Sequence, residues 1–311
     1  MNDIPQGLLT VFIGIFVVLV VASIITFILT KSKPDKDFTE LVLRIKSWWM
    51  MAVLFSIAIL INRNISILFF AFLSFLALKE YFTLIPTSRS HRLVLFFAYL
   101  SIPVQFYWIF INWYGMFIIF IPVYMFLLIP LVLIFIGENK GFLKSVGSVH
   151  WGMMMMLFGL SHISFLLVLP PENAAGAGGA GLILYLVVLT QGNDVAQYLW
   201  GKMFGRHKVV PKVSPNKTWE GLIGGVATTI ALAFLLAPYL TPLSPLHILF
   251  SGIIIGVGGF IGDVNISALK RDIGVKDSGT SLPGHGGILD RIDSLTFTAP
   301  MFFHFIRYLY F

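Results

Sequence analysis

Apolar residues run through this chain in long blocks broken by short polar stretches. A hydrocarbon core about 30 Å thick takes about 20 apolar residues per crossing helix. Blocks near residues 8–29, 47–61, 65–78, 93–111, 116–136, 149–169, 177–192, 219–238, 246–263 and 294–311 meet or approach that length. Those at 47–61, 65–78 and 177–192 are short, and only Asn62-Arg63-Asn64 splits the first two, so a re-entrant hairpin competes there with two full spans. The pattern predicts an all-α integral membrane protein, a polytopic bundle of about nine or ten transmembrane helices.

Composition agrees, with 58% hydrophobic and 11% charged residues where a soluble domain carries about 25% charged. The apolar blocks are too many for a signal peptide, and no segment looks removable. Cys is absent, which excludes disulfides, thiolate nucleophiles and Cys-ligated zinc and leaves oxygen or His as metal ligands. The net charge of +7 is compatible with nucleic acid, anionic lipid or an anionic substrate until the charges are placed.

With ten spans and both termini outside, all of the 21 Lys and Arg except Arg63 and Arg307 fall in inward-facing connections, as the retention of basic loops in the cytoplasm requires. Membrane lipids and an anionic substrate are therefore the expected partners, and nucleic acid is not. Two connections stand out, 193–218 and 264–293, both long, polar and rich in Gly, Pro, Lys and Asp; a purely structural connection rarely needs such length. The chain reads as one continuous membrane domain, with amino-terminal spans over 1–176 and carboxy-terminal spans over 177–311 that carry the chemistry at their cytoplasmic surface.

In the last polar connection Asp263 ends one helix, and Asp290 and Asp293 open the next on neighbouring positions of one face. Carboxylates at a membrane surface are costly without partners. Asp side chains at two adjoining helix ends suit a hard cation such as Mg2+, which keeps part of its coordination for water and phosphate. Lys270, Arg271, Lys276 and Arg291 supply positive charge, and Gly284, Gly286 and Gly287 around His285 leave backbone N–H groups open just before a helix start. Singly, each of these residues is ordinarily a cap or a headgroup contact. Their concentration in one connection is what the ordinary explanation fails to cover.

The preceding connection reads Asn193-Asp194-Val-Ala-Gln197-Tyr198, then Gly201-Lys202 and Gly205-Arg206-x-Lys208, then Ser214-Pro215-Asn216-Lys217-Thr218-Trp219-Glu220-Gly221. It is a Gly-spaced basic loop followed by a Ser-Pro helix start, either a phosphate seat with Lys217 and Thr218 as extra donors or an ordinary capped helix with Pro in its first turn.

The run Ser267-x-Leu269-Lys270-Arg271-x4-Lys276-Asp277-x-Gly279-x2-Leu282-Pro283-x-His285-Gly286-Gly287-Ile288-x-Asp290-Arg291-Ile292-Asp293 resembles the motif of the phosphatidate cytidylyltransferase (CDP-diglyceride synthetase) family. Residues 180–300 carry the likeness, with Gln197 standing where that family commonly has Ala and Asn193 where it often has a small residue. The resemblance implies a membrane enzyme in which a lipid phosphate attacks the α-phosphorus of CTP, pyrophosphate leaves and CDP-diacylglycerol forms.

It also implies Mg2+, with room for a second cation, phosphatidate or a similar lipid phosphate as acceptor, and a cytoplasmic site on a bacterial inner membrane. Oligomeric state stays open, a homodimer included. Phosphoryl-type transfer needs positioning and charge neutralisation rather than a protein nucleophile. On this reading Asp263 and Asp290 hold the metal, with Asp293 supporting them or joining as a third ligand. Lys270, Arg271, Lys276 and Arg291 neutralise phosphates beside Asp277, and His285 positions a phosphate or moves a proton. Asp194, Lys202, Ser214, Lys217, Thr218 and Ser267 hold substrate.

Two other activities compete: a CTP-dependent polyprenol kinase, which would leave no cytidine on the lipid, and a transporter of an anionic solute, which would turn over no CTP. A degenerate paralogue with a structural role is a third possibility, disfavoured because no motif position is lost. Several further signals are discounted. Gly176-Ala-Gly178-Gly-Ala-Gly181 fits G-x-G-x-x-G but follows no strand and suits close helix packing, as do the pairs Gly221/Gly225 and Gly252/Gly256. His162 is expected as a packed histidine, and His304 and Arg307 as interfacial anchors.

Overall fold

A computed structural model describes residues 5–33, 35–85, 92–137, 141–169, 177–279 and 286–311. His285 lies outside the described residues. Among them, nine helices are long and apolar enough to cross a membrane: α1 (Gln6–Ser32), α2 (Thr39–Ile61), α3 (Arg63–Leu84), α4 (Arg92–Phe110), α5 (Tyr114–Ile136), α6 (Phe142–Val168), α7 (Gly178–Phe204), α8 (Trp219–Leu240) and α9 (Pro245–Asp272). A single turn, α10 (Leu289–Ile292), leads into α11 (Leu295–Tyr310), which is shorter at 16 residues. All ten expected apolar blocks are helices, and the protein is an all-α polytopic membrane protein.

The re-entrant alternative does not hold. Helices α2 and α3 have 23 and 22 residues, each about 33 Å long at 1.5 Å per residue. Asn62 ends the first and caps the second, its side chain accepting the Ile65 N–H at 2.9 Å. Inside α5 and α6 the ladder widens to a π-helix over Phe120–Met125 and Met153–Gly159. Pro122 lies within the first of these, and proline deletes a ladder donor.

Burial follows the solvent inversion of a membrane protein. Ile13, Val17, Val18 and Phe27 of α1 are exposed, as lipid-facing side chains are, and α7 is the central post, with Leu182 through Leu186 and Leu189 buried. Around α7 pack α8, α9 and α11, while α6 contacts α3 and α11. Small residues permit the tight crossings: a Cβ on Gly252 would lie 2.9 Å from the Ile230 Cα, and one on Gly179 2.5 Å from the Leu166 carbonyl oxygen. His162 is a packed histidine, fully buried, with Nδ1 2.7 Å from the Phe158 carbonyl and the Phe117, Phe158 and Phe303 rings around it. The Arg307 guanidinium stacks 3.5 Å from the centre of the Tyr114 ring.

Both polar connections are shorter than the sequence suggests, because helix continues into them. Helix α7 runs past Asp194 to Phe204, and α9 runs past Asp263 to Asp272. Polar residues lower hydropathy without breaking a helix, and Ala268-Leu269-Lys270-Arg271 are all good helix formers. A Schellman turn stops α9, with Val275 N–H donating to the Lys270 carbonyl at 2.9 Å, Gly274 N–H to that of Arg271 at 3.2 Å, and Gly274 at φ +76°.

The Ser214-Pro215 helix start is also corrected. Strand β1 (Lys208–Val210) pairs antiparallel with β2 (Ser214–Thr218), Lys208 facing Thr218 and Val210 facing Ser214. Pro215 is tolerated in so short an edge strand. Helix α8 begins only at Trp219, where the Thr218 hydroxyl accepts the Gly221 N–H at 3.2 Å.

Candidate active site

Three carboxylates meet where α7, α9 and the start of α11 come together. Asp194 projects from α7, Asp263 from α9, and Asp293 from the joint between α10 and α11. Backbone proximity brings the last two together: a Cβ on Gly262 would sit 2.6 Å from the Asp293 carbonyl oxygen, so only glycine lets α9 approach this closely. Ser294 Oγ lies 2.9 Å from Asp194 Oδ1 and 3.1 Å from the Gly259 carbonyl, donating to one at a time, while its N–H donates to Asp293 Oδ1 at 2.8 Å. Ser267, one turn beyond Asp263, donates its hydroxyl to Asp263 Oδ1 at 3.2 Å.

Positive charge surrounds this trio. The Lys217 ammonium pairs with Asp263, lies 3.4 Å from Gln197 Oε1, and sits 5.3 Å from the Phe260 ring centre. Arg291 and Lys217 both act electrostatically on Asp194. The Arg291 Nε is buried with no hydrogen-bond partner among the described residues, an orphaned donor beside the acidic cluster. Burial, and then the carboxylates of Asp263 and Asp194, hold the Asp293 carboxyl well above the usual carboxylate range. A buried amide supports the group from below: Asn193 donates to the Gly256 carbonyl at 3.1 Å and accepts from the Thr229 hydroxyl at 3.1 Å.

Asp290 belongs to a second cluster, two helical turns along α9. Its Oδ1 accepts from Lys270 Nζ at 2.6 Å, and its Oδ2 accepts from Ser278 N at 2.9 Å and Gly287 N at 3.1 Å, with Ser278 Oγ 2.9 Å away and able to donate either to it or to Glu80. Burial alone would raise this carboxyl, but the Lys270 and backbone hydrogen bonds outweigh it and hold the carboxyl below its ordinary value. Lys270 and Asp263 lie seven residues apart on one helix, roughly 10 Å along its axis. The structure therefore pairs Asp290 with Lys270, and gives Asp263 the company of Asp194 and Asp293.

The remaining candidates are dispersed. Arg271 donates to the carbonyls of Val213 and Val275, both at 3.3 Å, and so ties the β-hairpin to the end of α9. Lys276 and Asp277 are exposed in the turn after α9. Lys202 lies over the Tyr198 ring, 5.8 Å from its centre, on an exposed face of α7. Ser214 and Thr218 stand at the two ends of β2, and the Thr218 hydroxyl is occupied in capping α8.

Among the described residues no three Asp, Glu or His side chains enclose a metal by themselves. The donor set nonetheless suits Mg2+, which is commonly held by one or two carboxylates together with water and substrate phosphate. The burial and mutual repulsion that raise Asp293 are what a cation would relieve.

Set against known proteins, residues 42–309 match the profile of the Cytidylyltransferase family. The chain belongs to that family. It is similar to the uncharacterized protein YnbB of Escherichia coli (strain K12), 49% identical over 294 residues, 94% of this chain and 96% of that one. The phosphatidate cytidylyltransferase of Haemophilus influenzae is 43% identical over 132 residues, 41% of this chain and 46% of its own. That of Bacillus subtilis is 43% identical over 134 residues, 42% of this chain and 49% of its own. The chain thus spans about half the length of these two cytidylyltransferases.

Two features of this chain are not evident from its motifs. Glu80, on α3, is buried and accepts the N–H groups of Ile288 and Leu289, each at 3.0 Å, and the Ser278 hydroxyl. The available signal was a carboxylate inside an apolar helix, which demands a partner. Glu220 accepts the N–H groups of Arg206 and His207 and pairs with the His207 ring at 2.5 Å, closing the hairpin onto α8. Only the fold brings these positions together.

Proposed function

We propose that this protein transfers a cytidylyl group from CTP to phosphatidate or a closely similar lipid phosphate. A phosphate oxygen of the lipid attacks the α-phosphorus of CTP, the bond from that phosphorus to the α–β bridging oxygen breaks, and pyrophosphate leaves with the electron pair. CDP-diacylglycerol is the product. The observation that carries this reading is the trio Asp194, Asp263 and Asp293 at the junction of α7, α9 and α11, flanked by Lys217 and the orphaned donor of Arg291.

Asp263 and Asp293, with Asp194 beside them, would hold Mg2+. Bound there, it would neutralise the triphosphate and raise the electrophilicity of the α-phosphorus. Lys217 exchanges part of its pairing with Asp263 for phosphate, and Arg291 donates to a phosphate oxygen. Lys276 and Lys202, exposed at this end, would draw the anionic substrates in. Lys270 and Asp290 hold the segment that carries Arg291. Excess basic residues on the connections at this end assign it to the cytoplasmic side, as in a bacterial inner membrane.

The experiment uses purified protein in detergent with phosphatidate, Mg2+ and CTP labelled at either the α or the γ position. Label from α-labelled CTP should enter the lipid, chelation should abolish this, and Asp263→Asn should reduce it strongly. Entry of γ label would establish a lipid kinase instead, and absence of both labels across several lipid phosphates and metals would reject the reading.

A further inference from the structure

Helix α3 lies in the amino-terminal half, and its carboxylate Glu80 sits among the buried side chains Ala77, Leu78, Tyr81 and Phe82. A carboxylate kept this far from water requires dedicated hydrogen bonds. Those described for Glu80 reach about 200 residues along the chain, to the segment that leads into α10: Oε2 accepts from Ile288 N and Oε1 from Leu289 N, each at 3.0 Å, and the Ser278 hydroxyl also contacts Oε1.

Ser278 connects this carboxylate to the next. Its hydroxyl oxygen lies between Glu80 and Asp290 Oδ2, and its backbone N–H donates to that same Oδ2 at 2.9 Å. Asp290 continues the connection to Lys270 on α9 at 2.6 Å. The fit is close: a Cβ on Gly287 would collide with both Glu80 and Ser278, and Gly286 takes φ +81°, where a Cβ would lie 2.8 Å from Asp290. Arg291 and Asp293, of the candidate active site, follow within three residues of Asp290.

We propose that Glu80 is a positioning residue for the transfer reaction, an amino-terminal anchor that fixes Ser278 and the Ile288–Leu289 backbone and so sets where Arg291 and Asp293 stand. This rests on the function proposed above. It makes the amino-terminal spans part of the catalytic apparatus, since α3 holds Ile288 and Leu289 while α9 holds Asp290 through Lys270.

The substitution Glu80→Gln keeps shape but turns one acceptor into an NH2 that confronts an N–H donor. It should lower kcat about 30-fold or more, as small misplacements do, while KM for CTP stays within about threefold. Gln105→Ala removes a buried amide that donates to the Phe117 carbonyl and Ser161 hydroxyl of the same half. That control should lose thermal stability and keep kcat.

Retention of kcat within about threefold in Glu80→Gln would overturn the inference, as would an equal loss of kcat in Gln105→Ala at matched thermal stability. Wild-type protein that transfers no cytidylyl group would refute the proposed function instead. Hydrogen exchange then decides the present inference by itself. Exchange at Ile288 and Leu289 should quicken about tenfold or more in Glu80→Gln as a structural opening is made easier, with Leu184 to Leu186 unchanged. Unchanged exchange at those two amides would overturn it.

Discussion

Replacing Asp290 with Asn tests the second cluster at its most loaded point. Asp290 accepts from the Lys270 ammonium and from the backbone N–H groups of Ser278 and Gly287, and shares the Ser278 hydroxyl with Glu80. The side chains of Lys270 and Asp290 are only 12% and 6% exposed, so water cannot take over the lost interaction. Asn supplies one acceptor oxygen and one NH2 group. Turned one way it faces the Lys270 ammonium with a donor; turned the other it faces two backbone N–H groups.

Removing one member of a buried ion pair costs about 3–5 kcal/mol, and the retained amide acceptor sets the expectation at the low end, about 3 kcal/mol. At roughly 2–4 °C per kcal/mol for a chain of this order of size, the thermal midpoint in detergent should fall by roughly 6–12 °C. Adding Lys270→Met removes the stranded ammonium. The double variant should be more stable than Asp290→Asn alone, with a coupling of about 1–2 kcal/mol. A single variant melting within about 1 °C of wild type, or a strictly additive double variant, would refute the argument.

Acid should dissolve the same contribution. The Asp290 carboxyl is held below its ordinary value, so its stabilisation is complete above the ordinary carboxylate value of about 4 and is lost as pH falls through the lowered one. The difference in midpoint between wild type and Asp290→Asn should therefore be constant from neutral pH to about 5 and shrink below about 4, as scanning calorimetry across pH would show. Gly287→Ala has no room for its methyl group beside Glu80 and Ser278; overpacking of this kind costs about 1–3 kcal/mol, and label transfer should fall together with the midpoint. Thr218→Ala deletes the cap of α8, which should cost about 1 kcal/mol. Thr218→Ser should restore most of that loss in the same melting assay.

The spans were legible because each needs only an uninterrupted apolar block, and ten blocks became ten helices. The polar stretches misled where they were taken as loops. Asp194 and Asp263 lie on helices because Val195-Ala196-Gln197 and Ile266-Ser267-Ala268 continue the helix at lower hydropathy. Ser214-Pro215 looked like a helix start because Pro is common in a first turn, yet its hairpin partner at Lys208–Val210 was invisible without pairing. Motif spacing named Asp263, Asp290 and Asp293 as a group, but spacing cannot say which carboxylate faces which cation. Lys270 claims Asp290, and Asp194, assigned from its motif to the substrate, stands beside the other two. Glu80 lay beyond reach for a plainer reason: its partners are about 200 residues away.

The burial of α7 bears on how the protein is made. The apolar 18-residue stretch of this helix has a mean hydropathy of 1.2, the lowest among the nine long helices described, and the helix carries Gln191, Asn193, Asp194 and Gln197 on its way to the surface. A charged residue near the middle of a lone segment costs about 2.5–3.5 kcal/mol during insertion by the translocon. Left to itself in lipid, α7 would have Asn193 unsatisfied until α8 brings Thr229 and α9 brings the Gly256 carbonyl. Biogenesis should therefore hold α7 at the translocon's lateral gate until its two successors emerge from the ribosome, so that these three helices enter the bilayer together rather than one at a time.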